Sequence, residues 1–108
     1  MALTREFRET VLLRAQKDRA FRQAMLTEAV NEFLTGDLEA GKAMLRDYIN
    51  ATITFDRLAA LLDKPSKSLQ RMLGPNGNPT AENIFSLIKA LQQTERVRLR
   101  VNAAKKAA

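Results

Sequence analysis

Thr54-Phe55-Asp56-Arg57-Leu58-Ala59-Ala60-Leu61-Leu62-Asp63-Lys64-Pro65-Ser66-Lys67-Ser68-Leu69-Gln70-Arg71-Met72-Leu73 is the stretch that decides the fold. Phe55, Leu58, Ala59 and Leu62 keep the spacing of one helical face, and Thr54 stands where that helix begins. Asp63-Lys64-Pro65 interrupts the pattern. Proline suits the first position of a helix, because the N–H it lacks would be unpaired there. A second short helix is therefore expected from Pro65 to Leu73, with Leu69, Met72 and Leu73 turned inward.

The details of the pair predict a helix-turn-helix. Such units need a small residue on the first helix, where the second crosses closely, and Ala59 fills that place. Ten residues later a branched apolar residue must pack back, and Leu69 fills that place. The outward face of the second helix then carries Ser66, Lys67, Ser68, Gln70 and Arg71, with no carboxylate among them. A helix that enters the major groove needs this chemistry, since carboxylates would meet phosphates and base edges need donors and acceptors. Lys67 or Arg71 can reach guanine O6 and N7, Gln70 can reach adenine, and Ser66 and Ser68 can serve a base or a phosphate. A solvated polar face, which any surface helix presents, is the competing reading.

Outward from this stretch the chain reads as helix after helix. Thr4 is a cap for a first helix to residue 17, with Phe7, Val11 and Arg14/Ala15 at helical spacing. Asp18 caps a second, in which Phe21, Met25, Ala29 and Phe33 recur every four residues beside Leu26 and Val30. Gly36 ends it, and Asp37 caps a third over 38–50 with Leu38, Leu45, Tyr48 and Ile49 inward. Gly74-Pro75-Asn76-Gly77-Asn78-Pro79 must be a loop. Gly74 and Gly77 let the chain reverse there, while Asn76, Gly77 and the N-terminus of the next helix can offer N–H groups to a phosphate. Thr80 caps a last helix with Ile84, Leu87, Ile88 and Leu91 on one face. In the tail Arg96, Arg98 and Arg100 alternate with Val97, Leu99 and Val101. That is a strand period, and a lone strand would pair with its copy in a second subunit. A helical extension is the other possibility, and Asn102–Ala108 reads as a frayed basic end.

The fold class is thus all-α, a five- to six-helix bundle with a short C-terminal strand. It divides into an N-terminal helical pair (1–36) that binds a partner or completes the core, a helix-turn-helix DNA-binding region (37–93) and a basic strand or tail (94–108). Composition narrows the function. The 108 residues carry a formal charge of +6. Residues 1–53 hold 8 Lys/Arg and 8 Asp/Glu, whereas residues 54–108 hold 10 and 4, so the excess falls on the half with the turn motif. A polyanionic partner is expected. Cys and His are absent, which removes disulfides, thiolate nucleophiles, Cys/His zinc sites and imidazole catalysis. No paired carboxylates or glycine-rich phosphate loop stand out, so the chain is not expected to be an enzyme or to need a cofactor or metal. No apolar run approaches a membrane span and the N-terminus lacks a signal-peptide pattern, which predicts a cytoplasmic protein.

The segment from Thr54 to Gln92 resembles the helix-turn-helix of the phage repressor and Cro superfamily. Leu58-Ala59-Ala60-Leu61-Leu62 looks like its first motif helix, and Ser66–Leu73 looks like its recognition helix. Gly77-Asn78-Pro79-Thr80 looks like the loop before its next helix. Lys67-Ser68-Leu69, Arg71-Met72-Leu73, Gly77-Asn78-Pro79-Thr80, Leu34-Thr35-Gly36-Asp37 and Leu45-Arg46-Asp47-Tyr48-Ile49 further resemble a group of antidote proteins of toxin–antitoxin modules. Two departures stand out. Asp63 occupies the turn position usually held by Gly, and Phe55 stands near a place where many repressors have Gln.

What the resemblance implies is a homodimer on a palindromic operator in double-stranded DNA, repressing its own promoter. It also implies a partner, a small basic toxin of the RelE/HigB kind, which Glu6, Glu9, Glu28 and Glu32 would meet. Thr54, Ser66, Lys67, Ser68, Gln70, Arg71, Asn76 and Asn78 are the candidate DNA-binding residues. A stand-alone phage-type repressor and a helical protein-interaction adaptor are the alternative functions.

Overall fold

Thr4 starts the first helix as its sequence position suggests, its hydroxyl accepting the Phe7 N–H at 3.1 Å. The computed structural model describes residues 4–106. The expected frayed end at Asn102–Ala108 therefore reaches two residues outside the described range. Among the described residues six helices follow one another: α1 (Arg5–Lys17), α2 (Arg19–Leu34), α3 (Leu38–Ala51), α4 (Phe55–Leu62), α5 (Ser66–Met72) and α6 (Ala81–Glu95). Asp18, Asp37 and Thr80 cap α2, α3 and α6 in the same way, each accepting an N–H three residues on. No helix among the described residues is long and apolar enough to cross a membrane.

One core joins both halves of the chain. Leu26 and Ala29 of α2, Leu45, Tyr48 and Ile49 of α3, Leu58 and Ala59 of α4, Leu69 of α5 and Leu87 and Leu91 of α6 are buried in a single cluster. Each fully buried leucine contributes about 1.5–3 kcal/mol relative to leaving it in water. α1 adds Ala15 and otherwise lies on the outside, with Phe7 still 53% exposed. Leu38, expected inward, is exposed. It stands in the first turn of α3, at the tip of the α2–α3 hairpin and beyond the end of the core.

Three helices finish alike. A left-handed residue closes each: Gly36 (φ 88°), two residues past the end of α2, and Asp63 (φ 54°) and Arg96 (φ 59°), directly after α4 and α6. In each case its N–H reaches back three residues and the next N–H reaches back five: Asp63 to Ala60 and Lys64 to Ala59, Arg96 to Gln93 and Val97 to Gln92. That is the Schellman pattern, which satisfies the last carbonyls of a helix. Glycine adopts the conformation without strain, while Asp63 and Arg96 hold it against the crowding of their β-carbons.

The tail corrects the sequence expectation. No strand exists among the described residues, and α6 stops at Glu95. The period-two alternation is nevertheless used. Val97 and Leu99 pack against the chain's own core, and Arg98 and Arg100 face solvent. The apolar side that an intersubunit ribbon would have buried is therefore already covered, except at Val101.

Buried polar groups tie the two ends of the chain together. The Tyr48 hydroxyl donates to Glu95 Oε1 at 2.6 Å, and Arg22 Nε donates to both Glu95 oxygens at 3.3 Å. Arg22 also donates to the Ala15 carbonyl at 2.7 Å. Burial and the neighbouring carboxylate push the Tyr48 hydroxyl well above the usual tyrosine range.

Candidate nucleic-acid interface

α4 and α5 pack against each other across the turn Asp63-Lys64-Pro65. Ala59 is 4% exposed and Leu69 is 1% exposed, so the small residue and the branched residue are both buried where the helices cross. Asp63 takes the left-handed geometry that the turn requires in place of glycine. Pro65 lies one position earlier than expected. It is the cap of α5 rather than its first residue, and its carbonyl accepts the N–H groups of Ser68 and Leu69. Its φ of −65° is the value the ring imposes in either role.

Leu69 and Leu73 fix the rotation of α5, and that decides which residues face out. Lys67, Ser68, Gln70 and Arg71 are exposed and Ser66 is half-buried. The Gln70 amide donates to Ser66 Oγ at 3.0 Å, so these two side chains orient each other one turn apart. Asn76 and Asn78 are exposed on the loop that follows.

Two basic residues that sequence reasoning passed over hold this loop and the end of α5. Lys42 of α3 is fully buried. Its ammonium donates to the carbonyls of Gly74 (3.0 Å) and Gly77 (2.8 Å) and pairs with Glu39 at 2.8 Å. Arg46, one turn along α3, donates to the Leu73 carbonyl. Cations at the C-terminal end of a helix complement its dipole as well as its unpaired carbonyls. Gly77 completes the clamp. A β-carbon there would collide with the carbonyls of Arg71 and Met72, so the loop approaches α5 this closely only as glycine. The signal that could have revealed the clamp is the spacing of Lys42, Arg46 and Asn50, four residues apart along one side of α3.

Beside α5 lies an open groove of about 500 Å³, lined by Arg46, Asn50, Thr54, Phe55, Asp56, Gln70, Gly74 and Pro75. It brings together Thr54 and Gln70, two of the candidate residues. Thr54 is strained, with φ 73° and ψ 154°, a region that β-branched residues avoid, and its side chain makes no capping bond to α4. The first N–H groups of α4 thus have no side-chain cap. Asp56 lines the groove, whereas the outer face of α5 carries no carboxylate.

No family model matches the chain, and no curated protein or solved structure is significantly similar to it.

Proposed function

We propose that the chain is a regulator that binds double-stranded DNA, with α4 and α5 acting as a helix-turn-helix and α5 entering the major groove. One observation carries the reading. α5 turns Lys67, Ser68, Gln70 and Arg71 to solvent with no carboxylate among them, while Leu69 and Leu73 anchor its other side. Lys67, Arg71 and Gln70 supply the donors and acceptors that base edges require. Lysine and arginine contacts to phosphate supply most of the affinity. The uncapped start of α4 at Thr54 and the loop carrying Asn76 and Asn78 give further phosphate contacts. A seven-residue helix reads few base pairs, so two copies on a palindromic site are needed for a useful specificity, and occupancy of a promoter would repress it.

The test is a salt-titrated binding assay against the DNA upstream of the chain's own gene and against a scrambled duplex. Tight binding that prefers the upstream duplex and weakens with salt supports the reading. Equal binding to both at every salt concentration overturns it.

A separate observation favours a second role beside the first. Residues 23–41 carry Glu28, Glu32, Asp37 and Glu39 and no Lys or Arg. Leu34 and Leu38 are 61% and 38% exposed at the same hairpin tip. This surface suits a basic partner protein, in keeping with the RelE/HigB-type toxin that the sequence resemblance implies. Of the four glutamates expected to meet it, Glu28 and Glu32 belong to this stretch. Glu6 and Glu9 lie on α1, where Glu9 faces Arg5 at 3.6 Å. Co-purification with the product of a neighbouring reading frame, abolished in a Glu28→Lys, Glu32→Lys double variant of the full chain, is the expected result. Unchanged co-purification would remove this role.

A further inference from the structure

Beyond α6 the chain carries Arg96, Arg98, Arg100, Lys105 and Lys106, all exposed, and no carboxylate among residues 96–106. The nearest acid in sequence, Glu95, is buried and engaged by Arg22 and Tyr48, so it is not free to neutralise them. None of the five cations forms an ion pair among the described residues. Unpaired charge of one sign at this density repels itself, and a polyanion relieves that repulsion.

The root of this segment is fixed. The Gln92 carbonyl accepts the Val97 N–H at 3.0 Å, and the Gln92 side chain accepts the Leu99 N–H at 2.8 Å. Val97 and Leu99 pack against the core. Their anchoring leaves Arg98 and Arg100 on the solvent side, so the backbone that carries these cations is fixed at positions 97 and 99 before any partner arrives. Preorganisation of this kind reduces the entropy lost on binding.

We infer that residues 96–106 form a phosphate-binding arm that grips the DNA backbone and adds sequence-independent affinity to the site on α5. The inference rests on the DNA-binding reading above. Phosphate is the principal partner of arginine and lysine on DNA, and an arm that read base edges instead would lose affinity on the upstream duplex alone when its arginines are removed.

The experiment compares the full-length chain with an Arg96→Gln, Arg98→Gln, Arg100→Gln variant by fluorescence anisotropy, on the upstream and scrambled duplexes, across a salt series. Thermal melting by circular dichroism establishes that the variant is folded. The expected result is a similar fold-loss of affinity on both duplexes. The plot of log K against log salt should flatten by about 0.9 for each phosphate that is no longer neutralised. A wild-type chain that prefers the upstream duplex, with a variant of unchanged slope and affinity, overturns the arm and leaves the α5 reading standing. A wild-type chain without preference, whose salt-dependent binding the variant loses, upholds the arm and overturns α5 as a reader of sequence. A chain that binds neither duplex overturns both. A variant altered only in its self-association assigns the arm to a second copy and overturns the phosphate role.

Discussion

The ammonium of Lys42 sits 2.8 Å from the carbonyl of Gly77, on a side chain with no exposure to water. A buried cation is tolerable only when its protons are all used, and here three acceptors receive them: two loop carbonyls and Glu39. Replacing it with Met keeps the stem and removes the charge. Lys42→Met should cost about 2–3 kcal/mol, since hydrogen bonds to charged groups disappear and two carbonyls are stranded. Urea denaturation measures this, and Glu39→Gln is the control. Glu39 is largely exposed, so its removal should cost under about 1 kcal/mol. Equal losses in the two variants would mean that the ion pair, not the carbonyls, is what matters.

Tyr48→Phe leaves Glu95 without its shortest hydrogen bond in a buried setting. A loss of about 1.5–3 kcal/mol is expected. An unchanged melting temperature would contradict the role given to this network.

Asp47 has its carboxyl pushed above the usual carboxylate range, chiefly by burial and against the pull of Arg46 and Arg8. The folded state then holds a proton more tightly than the unfolded state, so this group lowers stability as pH rises through its folded pKa. Asp47→Asn should therefore stabilise the protein at neutral pH and lose that advantage below the ordinary aspartate pKa of 3.8, where both states are protonated. Melting curves at pH 7 and pH 3 decide the sign.

Asp63 is left-handed at the turn between α4 and α5. A β-branched side chain tolerates that region poorly, so Asp63→Val should cost about 1–2 kcal/mol. Asp63→Gly should cost nothing. If glycine destabilises as much as valine, the aspartate side chain is needed for a reason other than conformation.

In DNA binding, Ser66→Ala with Lys67→Ala should weaken the preferred duplex by about 1–3 kcal/mol for each base edge that goes unread, and a scrambled duplex much less. Parallel titrations on the two duplexes read the difference. Equal weakening on both would place these residues on phosphate alone.

The helices were legible because their signals are local. Thr4, Asp18, Asp37 and Thr80 announce helix starts within four residues, and each makes the bond its position suggests. Ala59 and Leu69 were legible for the same reason. The clamp on α5 was not, because Lys42 binds main-chain carbonyls more than thirty residues away, and a carbonyl has no residue-type signature. Tyr48 was legible as an inward residue, but its bond to Glu95 was not, because the two stand 47 residues apart and nothing local pairs them. The tail shows a subtler failure. Its alternation was real, but alternation reports two faces and not a hydrogen-bonded neighbour, and Val97 and Leu99 found their apolar cover within the chain. The outward residues of α5 were legible, and the strained Thr54 was legible only as a helix start.

A helix of seven residues cannot hold its own shape or direction in water. α5 is pinned beneath by Leu69 and Leu73 and at its far end by Lys42 and Arg46, both rooted in the fourteen-residue α3. Its aim is therefore borrowed. Without the two cations of α3, Leu69 and Leu73 alone would have to set the direction in which α5 points.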